Sequence, residues 1–463
     1  MSSTAYDYTK GFVVTPDAEP GSVNQKAPYI DYGTNPLEMS RYFSNDYRER
    51  EWNELWSRIW VLAGISADLR DPGDFFTFDL RHESFLIVKG EDEEIRAFYN
   101  VCQHRGLRLV HSEHGSVGSG FTCPYHSWSY DLGGGCTKVT DPETFRPEVL
   151  CPWPKLTEAR CAVHGGLIYV TMNPDAPPLE EFLGEFGRQI SAYHIEKMIP
   201  IRHFRAELTA NWKGGMDGFL EGYHFHAIHS QVLPIVDDYH VQQDMYPNGM
   251  SRLIIPQVTP SPRLDDREEV TDLLRMVMED SALDPDKFEG STIELRRKAQ
   301  KAKRERSEAL GVDCSDLTDP QLTDSYVYGC FPNVLMGGHL ESVIIHRFLP
   351  HVEDVNKLYF DTITMYYPVE KPDGTYAIPA WMGFGPETDL SGDIRPEVEI
   401  YPLDQFKGIG LVLEQDAEMI PLAHAGQRSR GFRGPLLGEQ EQRIRHFHAE
   451  LDRYIPPVRL PLR

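Results

Sequence analysis

Two short stretches, Cys102-Gln103-His104 and Cys123-Pro124-Tyr125-His126, separated by eighteen residues, decide how this chain folds. Together they offer two thiolates and two imidazoles to one inorganic centre. In a [2Fe–2S] cluster of the Rieske type, two cysteines hold one iron and two histidines hold the other, which raises the reduction potential. The same four side chains could instead form a tetrahedral zinc site. The spacing favours the cluster over structural zinc but does not by itself exclude zinc.

A second group of possible metal ligands lies about a hundred residues further on, in Glu221-Gly222-Tyr223-His224-Phe225-His226-Ala227-Ile228-His229. His224 and His229 are five residues apart, so one slightly distorted helix could direct both side chains inward. Two histidines and a later carboxylate form the facial triad of non-haem Fe(II) oxygenases, which leaves positions open for O₂ and substrate. Carboxylate candidates follow in Glu414-Gln415-Asp416-Ala417-Glu418. The histidine spacing is weak evidence alone, but it becomes strong beside the cysteine–histidine site.

With both groups in view, the chain resembles the large (α) subunits of the Rieske non-haem iron oxygenases, also called aromatic-ring-hydroxylating oxygenases. The resemblance covers most of the chain, and the two metal motifs in this order and at this separation are highly specific for that family. The matching stretches are Asn100–Gly106, Cys123–Trp128, Asn211-Trp212-Lys213, Glu221–His224 with His229, and Glu414-Gln415-Asp416.

The resemblance implies a ligand set for each metal centre. The ligands of the [2Fe–2S] Rieske cluster would be Cys102, His104, Cys123 and His126. The ligands of the mononuclear Fe(II) would be His224, His229 and Asp416. Some relatives carry two consecutive acids where this chain has Asp416-Ala417, so Glu414 and Glu418 are the alternative carboxylates. His226, between the two iron histidines, is expected to line the pocket rather than to bind the metal.

The resemblance also implies a catalytic role for an acid three residues before the first iron histidine. In relatives this acid links that histidine to the cluster histidine of a neighbouring subunit, as an intersubunit electron-transfer bridge. Here the position is Glu221, with His126 and His224 as its expected partners. Glu221 is longer than the Asp of many relatives, and Asp217 could share the role.

Size and composition are those of an ordinary two-domain enzyme. The chain has 463 residues, 40% hydrophobic and 25% charged. Its net charge of −25 argues against nucleic acid, which requires a basic surface. We find neither a secretory signal nor an apolar run long enough to cross a bilayer, so we expect a cytoplasmic location. The cysteines outside the cluster motif are expected to be reduced and buried. These are Cys136, Cys151, Cys161, Cys314 and Cys330.

The pattern along the chain predicts an α+β fold. Residues 1–60 are expected to form an N-terminal arm and a helix that packs on the catalytic domain. Residues 61–178 would form a small antiparallel β Rieske domain, because short alternating apolar runs begin near Phe75 and turn residues separate them. Residues 179–463 would form a larger catalytic domain with a central antiparallel β-sheet flanked by helices. Within it, residues 262–310 are charged and helical in pattern. They include a local basic run that indicates first a solvated helix face, second a lid over the substrate pocket and third a docking site for an acidic partner. The run is Arg296, Arg297, Lys298, Lys301, Lys303, Arg304 and Arg306.

The chain contains no dinucleotide-binding glycine motif between a strand and a helix. It is therefore expected to receive electrons from a separate NAD(P)H-dependent reductase, with or without a ferredoxin. A head-to-tail homotrimer is the simplest closed arrangement in which Glu221 could act between subunits. Small β subunits could also bind.

The leading functional interpretation is a terminal oxygenase that hydroxylates or dihydroxylates a small compound, most commonly an aromatic one in this family, as in aromatic hydrocarbon catabolism. The alternative enzyme is a monooxygenase or demethylase acting on a quaternary amine or another non-aromatic compound. A plain electron carrier would not need residues 179–463, and a zinc-stapled interaction protein would contain no iron. Specificity is expected to depend on residues near the motifs. These are Met216, Phe219, Leu220, Val232, Leu233, Phe331–Leu335 and the 262–310 region.

Overall fold

The structure is a computed structural model that describes residues 11–15, 18–281, 283–370, 374–376, 384 and 388–457. The chain divides into two compact units. The smaller unit is Glu49–Phe182, and the larger unit joins Met1–Arg48 to Leu183–Arg463. Among the described residues, no helix combines the length and the apolar character needed to cross a lipid bilayer.

The α-helices that position the sites are short in the first half of the chain and longer in the second. In chain order, those among the described residues are α1 Ser40–Phe43, α2 Asn45–Arg50, α3 Pro147–Leu150, α4 Leu179–Ile190, α5 Trp212–Phe219, α6 Phe225–Ile228, α7 Asp272–Asp280, α8 Thr292–Ala309, α9 Leu411–Gln427 and α10 Gln442–Tyr454. A π-helical turn, Glu51–Trp56, follows α2.

The smaller unit is built from two antiparallel sheets. Its strands are β1 Val61–Ile65, β2 Asp74–Leu80, β3 Glu83–Lys89, β4 Ile95–Tyr99, β5 His114–Ser116, β6 Gly120–Thr122, β7 Ser129–Asp131, β8 Cys136–Lys138, β9 Glu158–His164 and β10 Leu167–Thr171. The larger sheet has the order β1-β10-β9-β4-β3-β2-β5, and the smaller has the order β6-β7-β8. Phe75 and Phe98 of the larger sheet pack with Phe121 and Tyr130 of the smaller one in a single apolar cluster. Cys102 and Cys123 belong to the same cluster, so the loops that carry them pack against it.

The larger unit contains one twisted sheet of the order β12-β13-β14-β15-β16-β17-β11-β18. Its strands are β11 Ile199–Leu208, β12 Gln242–Met245, β13 Ser251–Ile255, β14 Ser325–Cys330, β15 Val334–Gly338, β16 Ser342–Pro350, β17 Leu358–Tyr366 and β18 Val398–Tyr401. All described neighbours pair antiparallel except β18, which joins β11 in parallel. The predicted α+β class with a central antiparallel sheet and flanking helices is confirmed.

Helix α5 lies against one face of this sheet. The Asn211 side chain accepts a hydrogen bond from the Lys213 N–H and so caps the first turn of the helix. Gly215 allows close approach, because a β-carbon there would collide with the Phe348 ring on β16. Phe219 packs on the same ring with centroids 5.2 Å apart. The helix that precedes the histidine motif is thereby fixed to the sheet.

The charged region between β13 and β14 is helical, as predicted, over α7 and α8. On α8, Arg297, Lys298 and Lys301 are exposed. Arg296 instead forms an ion pair at 2.5 Å with Asp324, whose side chain is buried. Three of the basic residues are therefore on a solvated face, while Arg296 and Arg304, which pairs with Asp319 at 2.8 Å, hold the helix to the rest of the unit.

Candidate metal sites

The two cysteine–histidine motifs form matching turns in the smaller unit. In the first turn, the Cys102 N–H donates to the Leu107 carbonyl, and the Gly106 N–H donates to the Cys102 carbonyl. The second turn repeats both hydrogen bonds after Cys123, with Ser127 in the place of Gly106. Gly106 and Ser127 both have positive φ, 75° and 57°, as the reversal of the chain requires. The unequal Cys–His spacings therefore occupy loops of equal length.

These loops bring the four predicted cluster residues together. Cys102 and Cys123 are each only 2% exposed, and their thiols lie within hydrogen-bond reach of each other. His104 and His126 lie at the partly exposed rim, with their Nδ1 atoms 3.1 Å apart. Two nitrogens that each lie about 2 Å from one metal are roughly 3 Å apart in tetrahedral geometry, so the imidazole pair fits a single iron. Trp128 stacks on His104 with ring centroids 4.7 Å apart, which holds that ring in place.

The protonation states of these residues suit metal binding in different ways. Burial raises the pKa of the Cys102 thiol, so a metal that binds it must displace a proton. Burial lowers the pKa of His104, and the neighbouring His126 and Arg105 lower it further. The His104 ring is therefore neutral near pH 7 and has a lone pair to offer.

Tyr130 contacts the predicted cluster ligand Cys102, although it lies outside the cysteine–histidine motifs. Its hydroxyl lies 3.4 Å from the Cys102 sulfur and accepts a hydrogen bond from the Gln103 N–H at 3.1 Å. Because that hydroxyl oxygen is already an acceptor, its own proton is free to point at the sulfur. The only signal in the sequence is that Tyr130 falls on the buried face of β7, just after the second motif.

The second predicted group of ligands comes together in the larger unit. The donor atoms of His224, His229 and Asp416 all lie within 4.8 Å of one another. Asp416 Oδ1 is 2.9 Å from His229 Nε2 and 3.6 Å from His224 Nε2. Helix α6 covers only the residues between the two histidines, so His224 and His229 flank a single short helical turn. Asp416 reaches them from α9.

The alternative carboxylates point elsewhere. Glu414 Oε1 accepts a hydrogen bond from the Gly408 N–H at 2.6 Å, and its other oxygen lies 3.5 Å from Lys407 Nζ. Glu418 is exposed. Of the three acids considered in this segment, the structure brings Asp416 to the two histidines.

Each of these histidines uses its other ring nitrogen for a hydrogen bond within the protein. His224 Nδ1 lies 2.5 Å from Glu221 Oε1. Burial alone would lower the pKa of His224, but the hydrogen bond and charge of Glu221 raise it above the ordinary value. His229 Nδ1 lies 2.8 Å from Gln415 Oε1. In both cases Nε2 is the ring nitrogen directed toward Asp416, and an Nδ1 that hydrogen-bonds within the protein is what a metal-binding histidine needs.

A cavity of about 230 Å³ lies beside the histidines, between α5 and α9. It contains the carboxylates of Asp217, Glu221 and Asp416, and no Lys or Arg is among its described lining residues. The full described lining is Gly214, Asp217, Gly218, Glu221, His224, Ile228, Asp416, Met419, Ile420, Ala423, His424 and Gln427. The cavity is therefore rich in negative charge and suits a cation or a hydrogen-bond donor.

Asp217 is held in this cavity by two buried residues that sequence reasoning missed. The Tyr42 hydroxyl donates to Asp217 Oδ2 at 2.5 Å, and His448 Nε2 lies 3.0 Å from Asp217 Oδ1. Arg41 donates to His448 Nδ1 at 2.9 Å. Tyr42 is on α1 and His448 is on α10, so no local pattern could have joined them to α5.

A larger cavity, of about 790 Å³, opens on the face of the eight-stranded sheet against which α5 packs. Leu413, one helical turn before Asp416, is part of its lining. Its charged lining residues are Arg202, which pairs with Glu399 at 2.8 Å, and Asp389, which accepts hydrogen bonds from Ser391. Most of the other lining residues are apolar or threonine: Ile201, Phe204, Ile344, Thr362, Thr364, Phe384, Thr388, Ile394, Pro396, Ile409, Leu411 and Val412.

The specificity residues expected near the motifs do not line either cavity. Met216 and Leu220 are almost fully buried in the core. The described lining of the larger cavity comes from β11, β16, β17, β18, described residues between 384 and 396, and residues 408–413. The sheet brings together strands that are distant along the chain.

Two minor expectations can also be compared with the structure. Cys314 and Cys330 are buried, as expected, but Cys136 and Cys161 are only partly buried and Cys151 is exposed. Cys151 follows a short helix at the surface, where no apolar neighbours cover it. His226 is half-buried, with its ring 5.7 Å from that of Tyr223, and it is not among the lining residues of the cavity beside the histidines.

Comparison with known proteins gives two family matches. The model of the ring hydroxylating alpha subunit (catalytic domain) matches residues 195–456, and the model of the Rieske [2Fe–2S] domain matches residues 59–153. The first match covers more than half of the chain.

Individual relatives match less of the chain. The carnitine monooxygenase oxygenase subunit of Escherichia coli (strain K12) is 29% identical over 212 residues, which is 43% of this chain and 54% of the relative. The biphenyl 2,3-dioxygenase subunit alpha of Rhodococcus jostii (strain RHA1) is 34% identical over 203 residues, 42% of this chain and 43% of the relative. The chain spans about half the length of the curated relatives it matches.

Solved structures show the same fold over most of the chain. The apo form of the quaternary ammonium Rieske monooxygenase CntA aligns with a TM-score of 0.62 at 16% identity, covering 92% of this chain and 96% of that one. Naphthalene 1,2-dioxygenase with indole bound in the active site aligns with a TM-score of 0.63 at 18% identity, covering 94% and 95%.

Proposed function

Because the chain belongs to the ring-hydroxylating alpha-subunit family, whose cofactors are a Rieske [2Fe–2S] cluster and a mononuclear non-haem iron, we propose that it is the terminal oxygenase of a multicomponent Rieske system. It uses O₂ and electrons from a separate reductase, directly or through a ferredoxin, to hydroxylate or dihydroxylate a small aromatic compound. The observation that carries this proposal is the convergence of His224, His229 and Asp416 in a chain that also carries the paired cysteine–histidine loops.

The residues present fit both groups. Cys102, His104, Cys123 and His126 are the proposed ligands of the cluster, and the 3.1 Å between the two imidazole Nδ1 atoms supports a single iron between them. His224, His229 and Asp416 are the proposed ligands of the mononuclear iron. Three protein ligands would leave further coordination positions for O₂ and substrate, as in other facial-triad sites.

When bound, the cluster supplies electrons one at a time, and the mononuclear iron supplies the site at which O₂ meets substrate. The chain's own residues do the positioning. Glu221 keeps the proton of His224 on Nδ1, and the apolar walls of the larger cavity would seat the substrate and exclude water. Leu413 lines that cavity and lies one helical turn before Asp416 on α9.

Assembly follows from the role proposed for Glu221. We assign Glu221 as the bridge between His224 of one subunit and His126 of the next, which requires a head-to-tail ring. A homotrimer, with or without small β subunits, is the proposed assembly. We assign residues 61–178 to the cluster domain, residues 179–463 to the catalytic domain and residues 1–60 to an arm and helix that pack on the latter. The limits of the two family matches support this division.

Two substrate classes compete. The larger cavity, whose lining residues are mostly apolar or threonine, favours a neutral aromatic compound. The second candidate is a quaternary amine, and the observation that favours it is the smaller cavity, with three carboxylates and no Lys or Arg among its described lining residues. The names of matched relatives and structures include both classes. We further propose a cytoplasmic location, because a reducing compartment suits the partly exposed thiols of Cys136 and Cys151.

The first test is an EPR spectrum of the dithionite-reduced protein with iron quantified on the same sample. About three irons per chain and a Rieske signal are expected, two irons from the cluster and one from the triad. Bound zinc and no signal would refute the oxygenase proposal. His229→Ala should lower the count to about two irons and keep the signal, whereas His226→Ala, a nearby histidine outside the triad, should keep all three.

The second test separates the substrate classes. The purified protein, supplied with a surrogate reductase, is presented with a panel of aromatic hydrocarbons and a panel of quaternary amines, and product is measured against O₂ consumed. Coupled product formation from aromatics alone supports the leading proposal. Product from amines alone would replace it with the second candidate.

A further inference from the structure

The helix that carries Asp416 also makes the contact that orients one of the two histidines beside it. We propose that Gln415 is a positioning residue for the mononuclear iron site: it fixes the tautomer and ring orientation of His229. The inference rests on the proposed function, because it assumes that His229 binds iron through Nε2. It adds a residue that the motif comparison does not assign to any role.

The hydrogen-bond geometry fixes the direction of the contact. Gln415 Oε1 lies 2.8 Å from His229 Nδ1 and also accepts a hydrogen bond from Gln231 Nε2 at 2.8 Å. In this arrangement the atom that Gln415 presents to both partners is its carbonyl oxygen, and the Gln231 amide donates to it. A carbonyl oxygen only accepts, so the proton of His229 must be on Nδ1. A metal bound by both His229 Nε2 and Asp416 Oδ1, which lie 2.9 Å apart, would then take up the Nε2 lone pair.

Burial makes this contact the dominant restraint on the ring. The His229 side chain is 1% exposed, so water cannot replace a lost partner for Nδ1. Phe225 packs edge-on against the ring with centroids 5.3 Å apart, which limits tilting but leaves the protonation site undefined. The choice of tautomer therefore depends on Gln415.

The two proposed iron histidines thus have unlike partners. His224 donates to the carboxylate of Glu221, whereas His229 donates to a neutral amide. A carboxylate partner makes an imidazole a stronger donor to metal than an amide partner does, and such outer contacts change metal affinity by about 10–100-fold. Because Gln415 and Asp416 are adjacent on α9, this helix supplies one proposed iron ligand, Asp416, and also orients a second one, His229.

The experiment measures metal affinity and not turnover. The cluster is left in place, the mononuclear site is emptied by chelation under anaerobic conditions, and Fe(II) is titrated back against a competing chelator. Gln415→Leu should weaken Fe(II) binding by about 10–100-fold. Gln415→Glu, which keeps an acceptor, should bind at least as tightly as the parent. Gln231→Leu should weaken binding less than Gln415→Leu does, because it removes only the residue that orients the amide.

A matched control separates positioning from a general loss of helix stability. Gln300 is a buried glutamine on α8 that donates to Thr323, remote in sequence from the iron motifs. Gln300→Leu removes a comparable hydrogen bond and should leave Fe(II) affinity unchanged. If Gln415→Leu weakens binding no more than Gln300→Leu does, the inference is wrong.

A spectroscopic measurement adds a signature that a merely structural role would not change. In the Co(II)-substituted parent, the two histidine Nδ1–H protons should give two paramagnetically shifted, slowly exchanging proton resonances. Gln415→Leu should lose one of them as a sharp shifted resonance, because the His229 ring is no longer held in one orientation, and Gln415→Glu should restore it. Retention of both in Gln415→Leu would overturn the assignment.

The outcomes distinguish this inference from the proposal on which it rests. If His229→Ala binds Fe(II) as tightly as the parent, the iron site itself is wrongly assigned. If His229→Ala abolishes binding while Gln415→Leu binds like the parent, the iron site stands and only the role of Gln415 fails.

Discussion

Replacing Tyr130 with Phe should lower the reduction potential of the Rieske cluster without removing the cluster. The change deletes one hydroxyl, 3.4 Å from the Cys102 sulfur, and leaves the buried ring in place. The hydroxyl oxygen already accepts a hydrogen bond from the Gln103 N–H, so the hydroxyl proton is available to the sulfur. The substitution removes this proton. A donor to sulfur stabilises the reduced cluster more than the oxidised one, because the reduced cluster carries one more negative charge.

The size of the effect follows from the strength of one hydrogen bond. A typical intramolecular hydrogen bond contributes about 0.5–1.5 kcal/mol net. If that whole amount distinguishes the two oxidation states, it corresponds to about 20–65 mV, because a one-electron couple shifts by about 59 mV for each 1.4 kcal/mol. Sulfur is a weak acceptor, so we expect the reduction potential to fall by an amount in the lower half of that range.

The assay is a spectroelectrochemical titration of the cluster in the visible region, with the parent and variant in the same buffer. Tyr99→Phe is the matched control, because Tyr99 is a half-buried tyrosine on β4 of the same unit with its ring against Phe85. It should leave the potential unchanged. A Tyr130→Phe potential within about 10 mV of the parent, well below the shift worked out above, would refute the reasoning, provided that the EPR signal shows an intact cluster.

Further predictions concern the larger unit. Glu221→Gln should keep the mononuclear iron but slow turnover by about tenfold or more; O₂ uptake with iron quantified on the same sample checks this, and full activity would remove the proposed bridge. Asp361→Asn should lower the free energy of unfolding at pH 7 by about 3–5 kcal/mol, because it leaves Arg347 buried without its carboxylate. Although burial alone would raise it, Arg347 and other nearby cations hold the pKa of Asp361 well below its ordinary value. The contribution of Asp361 is therefore complete above about pH 4 and is lost as the pH falls toward the folded pKa, so urea unfolding should show parent and variant converging in acid. Tyr42→Phe should cost about 1–3 kcal/mol in thermal or urea unfolding, because Asp217 loses a donor at 2.5 Å; an unchanged midpoint would contradict this.

The local parts of both sites could be predicted from the sequence because each is encoded within a few residues. Cys102 and His104 share a single turn, and the hydrogen bonds of that turn depend only on neighbours in the chain. The same holds for His224 and its partner Glu221, three residues earlier. Alternating apolar residues likewise predicted strands in both units, because the two-residue period of a strand is a local property.

What the sequence could not supply is the pairing of distant elements. The order of the eight-stranded sheet places β11 between β17 and β18, and no local pattern specifies that order. The residues of the larger cavity are consequences of it, since Thr362 and Phe204 face the same space only once their strands are neighbours. The expectation that specificity depends on residues close to the motifs stays a prediction, which substitution of those residues would test.

The network around Asp217 shows how such distant pairing determines what a residue can do. The chain of contacts from Asp217 through His448 to Arg41 and on to Asp452 resembles a route for protons, since the Asp452 side chain is partly exposed. Arg41 cannot transfer a proton along these contacts, because a guanidinium does not give up its proton and has no lone pair to accept one. Its donation to His448 Nδ1 instead fixes the proton of His448 on Nε2, facing Asp217. Burial also lowers the pKa of His448, which keeps its ring neutral. Asp217 is therefore an acceptor fixed by two donors, Tyr42 and His448, and its role is to hold a negative charge in the cavity rather than to pass protons into it.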